Sequence, residues 1–448
     1  MVDSADWSSR QLHFVGIGGA GMSGWASVAA DLGAAVSGSD AADSPTLAAL
    51  RAQGIGAHAG HAISNLPSGG NTELVRSSAI PDSNPELAAA RERGLRVMER
   101  AELLAELTAL RRTIAVAGAH GKTTTTSMVA QVLIECGLDP GYLIGGELRS
   151  SGRNAAWGSG EWLIVEADES DRSMLSLNVE VAVVTNVELD HHANYRSLAE
   201  LREVFRSFLS RPSHAVMPDL PELLELRGEM PVIAFNVDAL ELRPGGSSFQ
   251  WRGEQVTLSV PGAHNAANAV AALESALLAG VEPGEAARAI KSFSGAGRRF
   301  EELGRSESGA LIIDDYAHHP TEVAATIAAA RTLGSKRVVA VFQPHLFSRT
   351  ERLAAEFGRA LAAADVVCVL DVYKAREKPE DFPGVDGRLI AAAAADAAGG
   401  KEVLWLPNFS EALTQLNLLL RAGDSCLILG AGDVRSLGED LVVEPSSR

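Results

Sequence analysis

Short candidate strands recur along the chain at 13–17, 74–78, 114–117, 162–167, 181–185, 311–315, 337–342, 366–370 and 426–430, most of them nearly continuous hydrophobic runs. Ala- and Leu-rich stretches of helical length lie between them. A strand that is apolar on both faces is one covered by helices on both sides. The alternation therefore predicts an α/β protein with mostly parallel sheets. One stretch departs from it: ELRPGGSSFQWRGEQVTLSVP at 241–261 has glycine turns between alternating segments and reads as a hairpin-like β insert. At 448 residues the chain is long enough for about three domains of roughly 150 residues each. Polar seams near 110–112 and 301–309 place them at 1–110, 111–303 and 304–448.

Charge narrows the partners. With 57 acidic and 39 basic residues the net charge is −18, which argues against nucleic acid and anionic membrane, both of which attract a basic surface. A locally basic pocket for a small anion stays open. Cys136, Cys368 and Cys426 lie far apart without metal-type spacing and read as reduced core residues of a cytoplasmic protein. No apolar run reaches membrane-spanning length, and residues 1–10 do not have the pattern of a signal peptide. Monomer and homodimer are both open.

TIAVAGAHGKTTTTSMVA at 113–130 carries the first chemical signal. A strand feeds Gly118-Ala119-His120-Gly121-Lys122-Thr123, and a helix is expected to start within 124–127, at Thr124 or shortly after. Glycines let backbone N–H groups approach an anion, the helix start favours negative charge, and the lysine adds a point charge. Thr123 is placed to offer its hydroxyl to Mg²⁺. Only two residues separate Gly118 from Gly121, where the common phosphate loop needs four between its first glycine and the Gly-Lys pair. Glu166 ends a later strand, at the edge where open α/β sheets place ligands, and can join Thr123 on the metal. A solvated acidic turn with Asp168, Glu169 and Asp171 is the plainer alternative.

Near the front, Gly16-Ile17-Gly18-Gly19-Ala20-Gly21 follows a strand and precedes a helix, with Asp40 nineteen residues beyond Gly21. Alone this is a dinucleotide fingerprint and allows an NAD-dependent oxidoreductase. The same physics serves any pyrophosphate, including that of a UDP-sugar. In the last third, Arg349 of FQPHLFSRT is suited to a bidentate grip on a carboxylate.

The motifs in order, HFVGIGGAGMSGWA, the short loop, LIVEADESDRSMLSL, VVTNVELDHHANY, PGAHNAANAVAAL, GAGRRFEELG, DDYAHHPTEVAATI and FQPHLFSRT, resemble the Mur ligases, ATP-dependent enzymes that form amide bonds. The resemblance covers nearly the whole chain. It implies a Rossmann-like N-terminal domain, a central P-loop ATPase-type domain and a Rossmann-like C-terminal domain. It also implies ATP and Mg²⁺, with UDP-N-acetylmuramate and L-alanine as substrates joined through an acyl phosphate. A ligase recycling murein tripeptide onto the same UDP-sugar is the nearest alternative within the family.

Residue by residue, the resemblance implies that Gly118, Gly121, Lys122, Thr123 and Thr124 hold ATP phosphates, and that Arg299 reaches them. Asn265 and Asn268 would bond adenine and Asp315 the ribose, although helix capping is an equally plain role for Asn265. His191 would join Thr123 and Glu166 on the metal, although Mg²⁺ prefers oxygen ligands and His192 stands beside it. Lys122, Glu166, His191 and Arg299 would carry the catalysis. Gly16, Gly18, Gly19, Gly21, Asp40 and Ser78 would face the UDP-sugar, and Tyr316, His318 and Arg349 the amino acid. Many members carry arginine where Leu346 stands, threonine where Ala119 stands and glycine where Ala317 stands.

Overall fold

The computed structural model describes residues 7–77, 79–190 and 194–445. The chain forms two compact bodies: Met1–Val187 with Ala199–Asn236 and Ala271–Ala289, and Glu188–Leu198 with Val237–Val270 and Ile290–Arg448.

The first body holds two sheets. A five-stranded one runs Gly56–Ala59, Ala35–Asp40, Gln11–Val15, Thr72–Arg76, Val97–Glu99, with every pairing parallel. The strand order reverses beside Gln11–Val15, which in doubly wound sheets opens a ligand crevice at the strand ends. The glycine fingerprint leaves that strand there and enters the helix Ala20–Asp31.

The second sheet of this body runs Val232–Phe235, His214–Pro218, Val181–Val184, Arg112–Ala117, Trp162–Glu166, Gly141–Leu148, Arg153–Ala156. Only its last pairing is antiparallel. Arg112–Ala117 is the middle strand of seven, and its side chains from Thr113 to Ala117 are all buried. This explains the unbroken apolar run in the sequence: both faces are covered.

The other body contains the insert read from 241–261 as a hairpin. It is a three-stranded antiparallel sheet, Asp238–Arg243, Gly246–Trp251 and Glu254–Leu258. The larger sheet runs Glu402–Trp405, Val366–Val369, Arg337–Phe342, Asp424–Leu429, Leu311–Asp315, Glu301–Ser306, Val442–Pro445, the first five strands parallel. Neighbouring residues feed opposite faces. Ile313 packs with Phe342, Phe357 and Ile390, while Ile312 packs with Val341, Leu416 and Ile428. The Ala-rich stretch near 391–398 is the helix Gly387–Ala397. A Cβ added at Gly358, on the helix Phe347–Leu361, would sit 2.5 Å from the Ala393 carbonyl carbon. Small residues on both helices are what permit that approach.

One buried polar cluster ties the five-stranded sheet together. The Glu86 carboxylate is fully buried and accepts from Ser39 Oγ at 2.5 Å, Asn65 Nδ2 at 2.9 Å and the Ala62 N–H at 3.0 Å. His13 Nε2 lies 3.4 Å away. Burial opposes ionisation, but the contacts to His13, Ser39, Asn65 and Ala62 outweigh it and hold the carboxyl down at about 2. A carboxyl whose folded pKa is depressed contributes stability above its unfolded pKa and loses it as pH falls towards the folded value. Glu86→Gln is therefore expected to be less stable at pH 7 by roughly 3 kcal/mol, about 1.4 kcal/mol per unit from the ordinary carboxyl value. Denaturant melts should show the gap closing as pH drops below ~4.5. A gap independent of pH would mean that the carboxylate is not held ionised by this network.

Candidate active site

The phosphate loop leaves the central strand between two others whose ends face it. Gly118 has φ +136° and Gly121 φ +80°, and the helix Lys122–Glu135 begins immediately after Gly121, two residues earlier than the sequence suggested. A Cβ on Gly118 would lie 2.2 Å from Thr185 Oγ1, so only glycine fits. Thr185 Oγ donates to the His120 carbonyl at 2.5 Å, and Asn186 accepts the His120 N–H at 3.1 Å while donating to its carbonyl at 2.9 Å. The neighbouring strand end thus locks the loop through its backbone. Thr123 and Thr124 are buried in the first helical turn.

The Lys122 ammonium donates to the Gly118 carbonyl at 2.6 Å and to both oxygens of Glu169 at 3.0 and 2.9 Å. Burial would favour the neutral amine, but Glu169, Asp168 and Glu166 outweigh it and raise the pKa, so the ammonium is charged. Asp168 and Asp171 pair with Arg100, at 2.9 and 2.5 Å. Burial raises the Asp168 pKa, and the charges of Lys122 and Arg100 more than reverse this, holding it well below the usual range. The acidic turn is therefore no mere solvated loop. Glu166 sits at the end of its strand, half-buried, and accepts the Gly145 N–H at 2.6 Å.

The donors suit a hard cation. Glu166 is a carboxylate at the strand end and Thr123 a hydroxyl in the first turn of the helix, both oxygen ligands of the kind Mg²⁺ takes. His191 lies outside the described residues, as does Ser78.

In the fingerprint turn, the Gly16 and Ile17 N–H groups both donate to the Ser39 carbonyl, at 2.8 and 3.0 Å. Gly19 is the N-cap residue of the helix that contains Gly21. Asp40 accepts from the Gly18 N–H at 2.8 Å and from the Ala41 N–H at 2.7 Å. The acid that the dinucleotide pattern would send to a ribose shapes the glycine turn through these bonds.

In the second body, Asn265 lies in the first turn of the helix Ala263–Leu278. Its Nδ2 donates back to the Pro261 carbonyl at 2.7 Å, so the bond seen is not that of a capping acceptor. Asn268 follows one turn on, 3.5 Å from the Asn265 side-chain oxygen. Asp315 is buried and accepts the N–H groups of Phe300 at 2.9 Å and Ala317 at 2.8 Å. Burial pushes its carboxyl up to about 6, against the opposing charge of Arg299. Arg298 and Phe300 both have positive φ, +57° and +46°, and Arg299 between them lies 5.0 Å from the Tyr316 ring centre and 3.6 Å from Glu322.

Tyr316 and His318 stand edge to face, with ring centres 5.3 Å apart. His345 is 6.1 Å from His318 and stacks on Tyr373 at 5.7 Å. Arg349, on the helix Phe347–Leu361, is 5% exposed and is paired with Asp190, itself 4% exposed. Its Nε and a terminal nitrogen lie 2.8 and 2.7 Å from Asp190 Oδ1. Leu346 begins that helix at φ +72°, a region that strains any residue with a Cβ. It is pinned by a bond from its N–H to the Tyr373 carbonyl at 3.0 Å. Glu377 accepts the Ser348 N–H at 3.0 Å and the Ser348 hydroxyl at 2.5 Å. Sequence reasoning missed Asp190, His345, Tyr373, Glu377 and the role of Glu169. Asp190 and His345 stood inside quoted motifs; nothing in the spacing pointed to Tyr373 or Glu377.

The chain belongs to the Mur ligase family. Its residues 11–112 match the Mur ligase family catalytic domain, 116–276 the Mur ligase middle domain and 298–432 the Mur ligase glutamate ligase domain. The architecture is thus the three-domain α/β one of ATP-dependent Mur ligases. More particularly, it is 43% identical to a UDP-N-acetylmuramate–L-alanine ligase of Mycobacterium sp. over 98% of this chain and 96% of that one. It is 46% identical to the enzyme of the same name from Acidithiobacillus ferrooxidans, over 96% of each. The crystal structure of the UDP-N-acetylmuramate–alanine ligase of Thermotoga maritima superposes with a TM-score of 0.82 at 27% identity, covering 96% of this chain and 98% of that one. A murein peptide ligase from Psychrobacter arcticus gives 0.71 at 24% identity over 97% and 98%, a likeness of fold. Among the described residues, no helix is long and apolar enough to cross a membrane.

The loop geometry makes a direct prediction. Gly118→Ala places a methyl inside Thr185 and forces an unfavourable φ. It should cost about 1–3 kcal/mol in denaturant melts and raise the KM for ATP. Parental stability and KM together would contradict the loop conformation described here.

Proposed function

We propose that this chain uses ATP to join L-alanine to the carboxylate of UDP-N-acetylmuramate, as a step in peptidoglycan precursor synthesis. The observation that carries this is the identity of 43–46% to enzymes of that one activity across almost the whole chain. The murein peptide ligase shares the fold at lower identity. The nicotinamide oxidoreductase allowed by the glycine fingerprint alone is set aside: the chain is a ligase by family, and Asp40 serves the turn.

The division into 1–110, 111–303 and 304–448 is part of the proposal. Gly16, Gly18, Gly19, Gly21, Asp40 and Ser78 face the UDP-sugar. Gly118, Gly121, Lys122, Thr123 and Thr124 bind ATP phosphates. Asn265 and Asn268 serve adenine, Asp315 the ribose and Arg299 a phosphate.

The sugar carboxylate attacks the γ-phosphorus, the bond to ADP breaks, and an acyl phosphate forms. The alanine amine then attacks the acyl carbon and phosphate leaves. No protein nucleophile is needed; Lys122 lowers the repulsion between carboxylate and triphosphate. Thr123, Glu166 and His191 would hold Mg²⁺, which supplies further neutralisation of phosphate charge when bound. Tyr316, His318 and Arg349 line the alanine site, with Arg349 on its carboxylate.

Phosphate release should require ATP, UDP-N-acetylmuramate and L-alanine together, and Lys122→Ala should lose at least about a hundredfold in rate while still melting cooperatively, at a lower midpoint because Glu169 loses its partner. Omission of L-alanine without effect would overturn the substrate assignment. Glu166→Gln should raise the Mg²⁺ concentration needed for half-maximal rate, and an unchanged Mg²⁺ titration would remove Glu166 from the metal.

A further inference from the structure

Alanine at neutral pH is a zwitterion. A site that takes its carboxylate must also receive an ammonium, and that ammonium must lose a proton before its nitrogen can attack an acyl carbon. The buried pair Asp190–Arg349 is electrically neutral. A ligand bringing only a negative or only a positive charge would leave one charge uncompensated in a desolvated place, at high cost. One bringing both charges, suitably spaced, would not.

The imidazole beside this pair has a definite orientation. His318 Nδ1 lies 3.0 Å from the Tyr316 carbonyl, a pure acceptor, and 3.2 Å from Glu322 Oε2. The hydrogen-bond pattern therefore assigns the proton to Nδ1 and the lone pair to Nε2. Nε2 lies 3.9 Å from Asp190 Oδ2. Burial first, and then the positive charge of Arg349, lowers the His318 pKa to about 4 against the opposing Glu322 and Asp190, so the ring is neutral at pH 7. His345 also faces it, with ring centres 6.1 Å apart. An imidazole lone pair and a carboxylate oxygen at this distance form a place for a cationic donor, with a guanidinium on the far side of the same carboxylate.

We propose that Asp190 and His318 form the seat of the amino acid's α-ammonium, with Asp190 as its ion-pair partner and His318 Nε2 as the acceptor of its proton. This rests on the proposed ligation of an amino acid. In the step, one N–H bond breaks, its electron pair stays on nitrogen and the proton passes to Nε2. The resulting imidazolium is stabilised by Asp190, and the neutral amine attacks the acyl carbon. Asp190 thereby has two partners in turn: Arg349, as in the structure, and the ammonium once Arg349 grips the carboxylate.

The test is steady-state kinetics on the full chain with propionate, a carboxylate lacking the amine, as competitor of L-alanine. Asp190→Asn should raise the KM for L-alanine by about tenfold or more, with the KM values for ATP and the UDP-sugar within about twofold, while the Ki of propionate falls because no Asp190 charge is left uncompensated when Arg349 takes the carboxylate. If propionate weakens in parallel, Asp190 only braces Arg349 and the proposal falls. It falls equally if the alanine KM stays put. Should Asp190→Asn give no cooperative melt, His318→Phe carries the test: its kcat should drop about tenfold or more and recover as rising pH deprotonates alanine in solution. An unchanged kcat, or a loss that high pH does not relieve, overturns the proton-acceptor role. A parent enzyme that releases no phosphate with L-alanine would sink the proposed function instead, before any variant is compared.

Discussion

A lysine ammonium at the head of a buried helix needs a counter-charge, and in this protein Glu169 provides it. Lys122 bonds both oxygens of Glu169 and the carbonyl of Gly118, the first glycine of its own loop. That one interaction constrains a great deal. The loop must be short enough for the side chain to fold back on Gly118, and Gly118 must lack a side chain because Thr185 occupies the space. The turn that carries Glu169 must also stay where it is. Asp168 and Asp171 on the same turn fix it to Arg100, at the start of the helix Arg100–Thr108 that leads into the central strand. The loop is thereby held in a charge-balanced state, and under the proposed function the triphosphate enters it by taking over the ammonium.

The parallel sheets were legible because burial on both faces removes polar residues from whole strands. Each of the nine candidate strands, most of them apolar runs, overlaps an observed one among the described residues. The shorter edge strands Gly56–Ala59, Val97–Glu99 and Glu402–Trp405 carry no such run, because partly exposed edges admit Gly, His, Glu and Trp. The helix after the phosphate loop began earlier than expected, since Gly121 with φ +80° ends the loop by itself.

Among site residues, those whose chemistry is local in sequence could be read directly: glycines before a helix, a lysine after them, a carboxylate at a strand end. What could not be read was pairing across long separations. Arg349 finds Asp190 across 159 residues, and His13 finds Glu86 across 73. Asp40 shows a second limit. Its spacing from the glycines fits a ribose-binding acid, yet the same spacing serves an acid that bonds the Gly18 N–H. Spacing specifies proximity, and only the hydrogen-bond partner decides the role.

The central claim is that the sugar carboxylate is activated by phosphorylation before the amine attacks. It is tested most directly by labelling both carboxylate oxygens of UDP-N-acetylmuramate with the heavy oxygen isotope and analysing the released phosphate by mass spectrometry. Attack of the carboxylate on the γ-phosphorus transfers one of its oxygens, so each phosphate released in the presence of L-alanine should carry a single heavy atom. Phosphate released without label while the amide forms would contradict the acyl phosphate route.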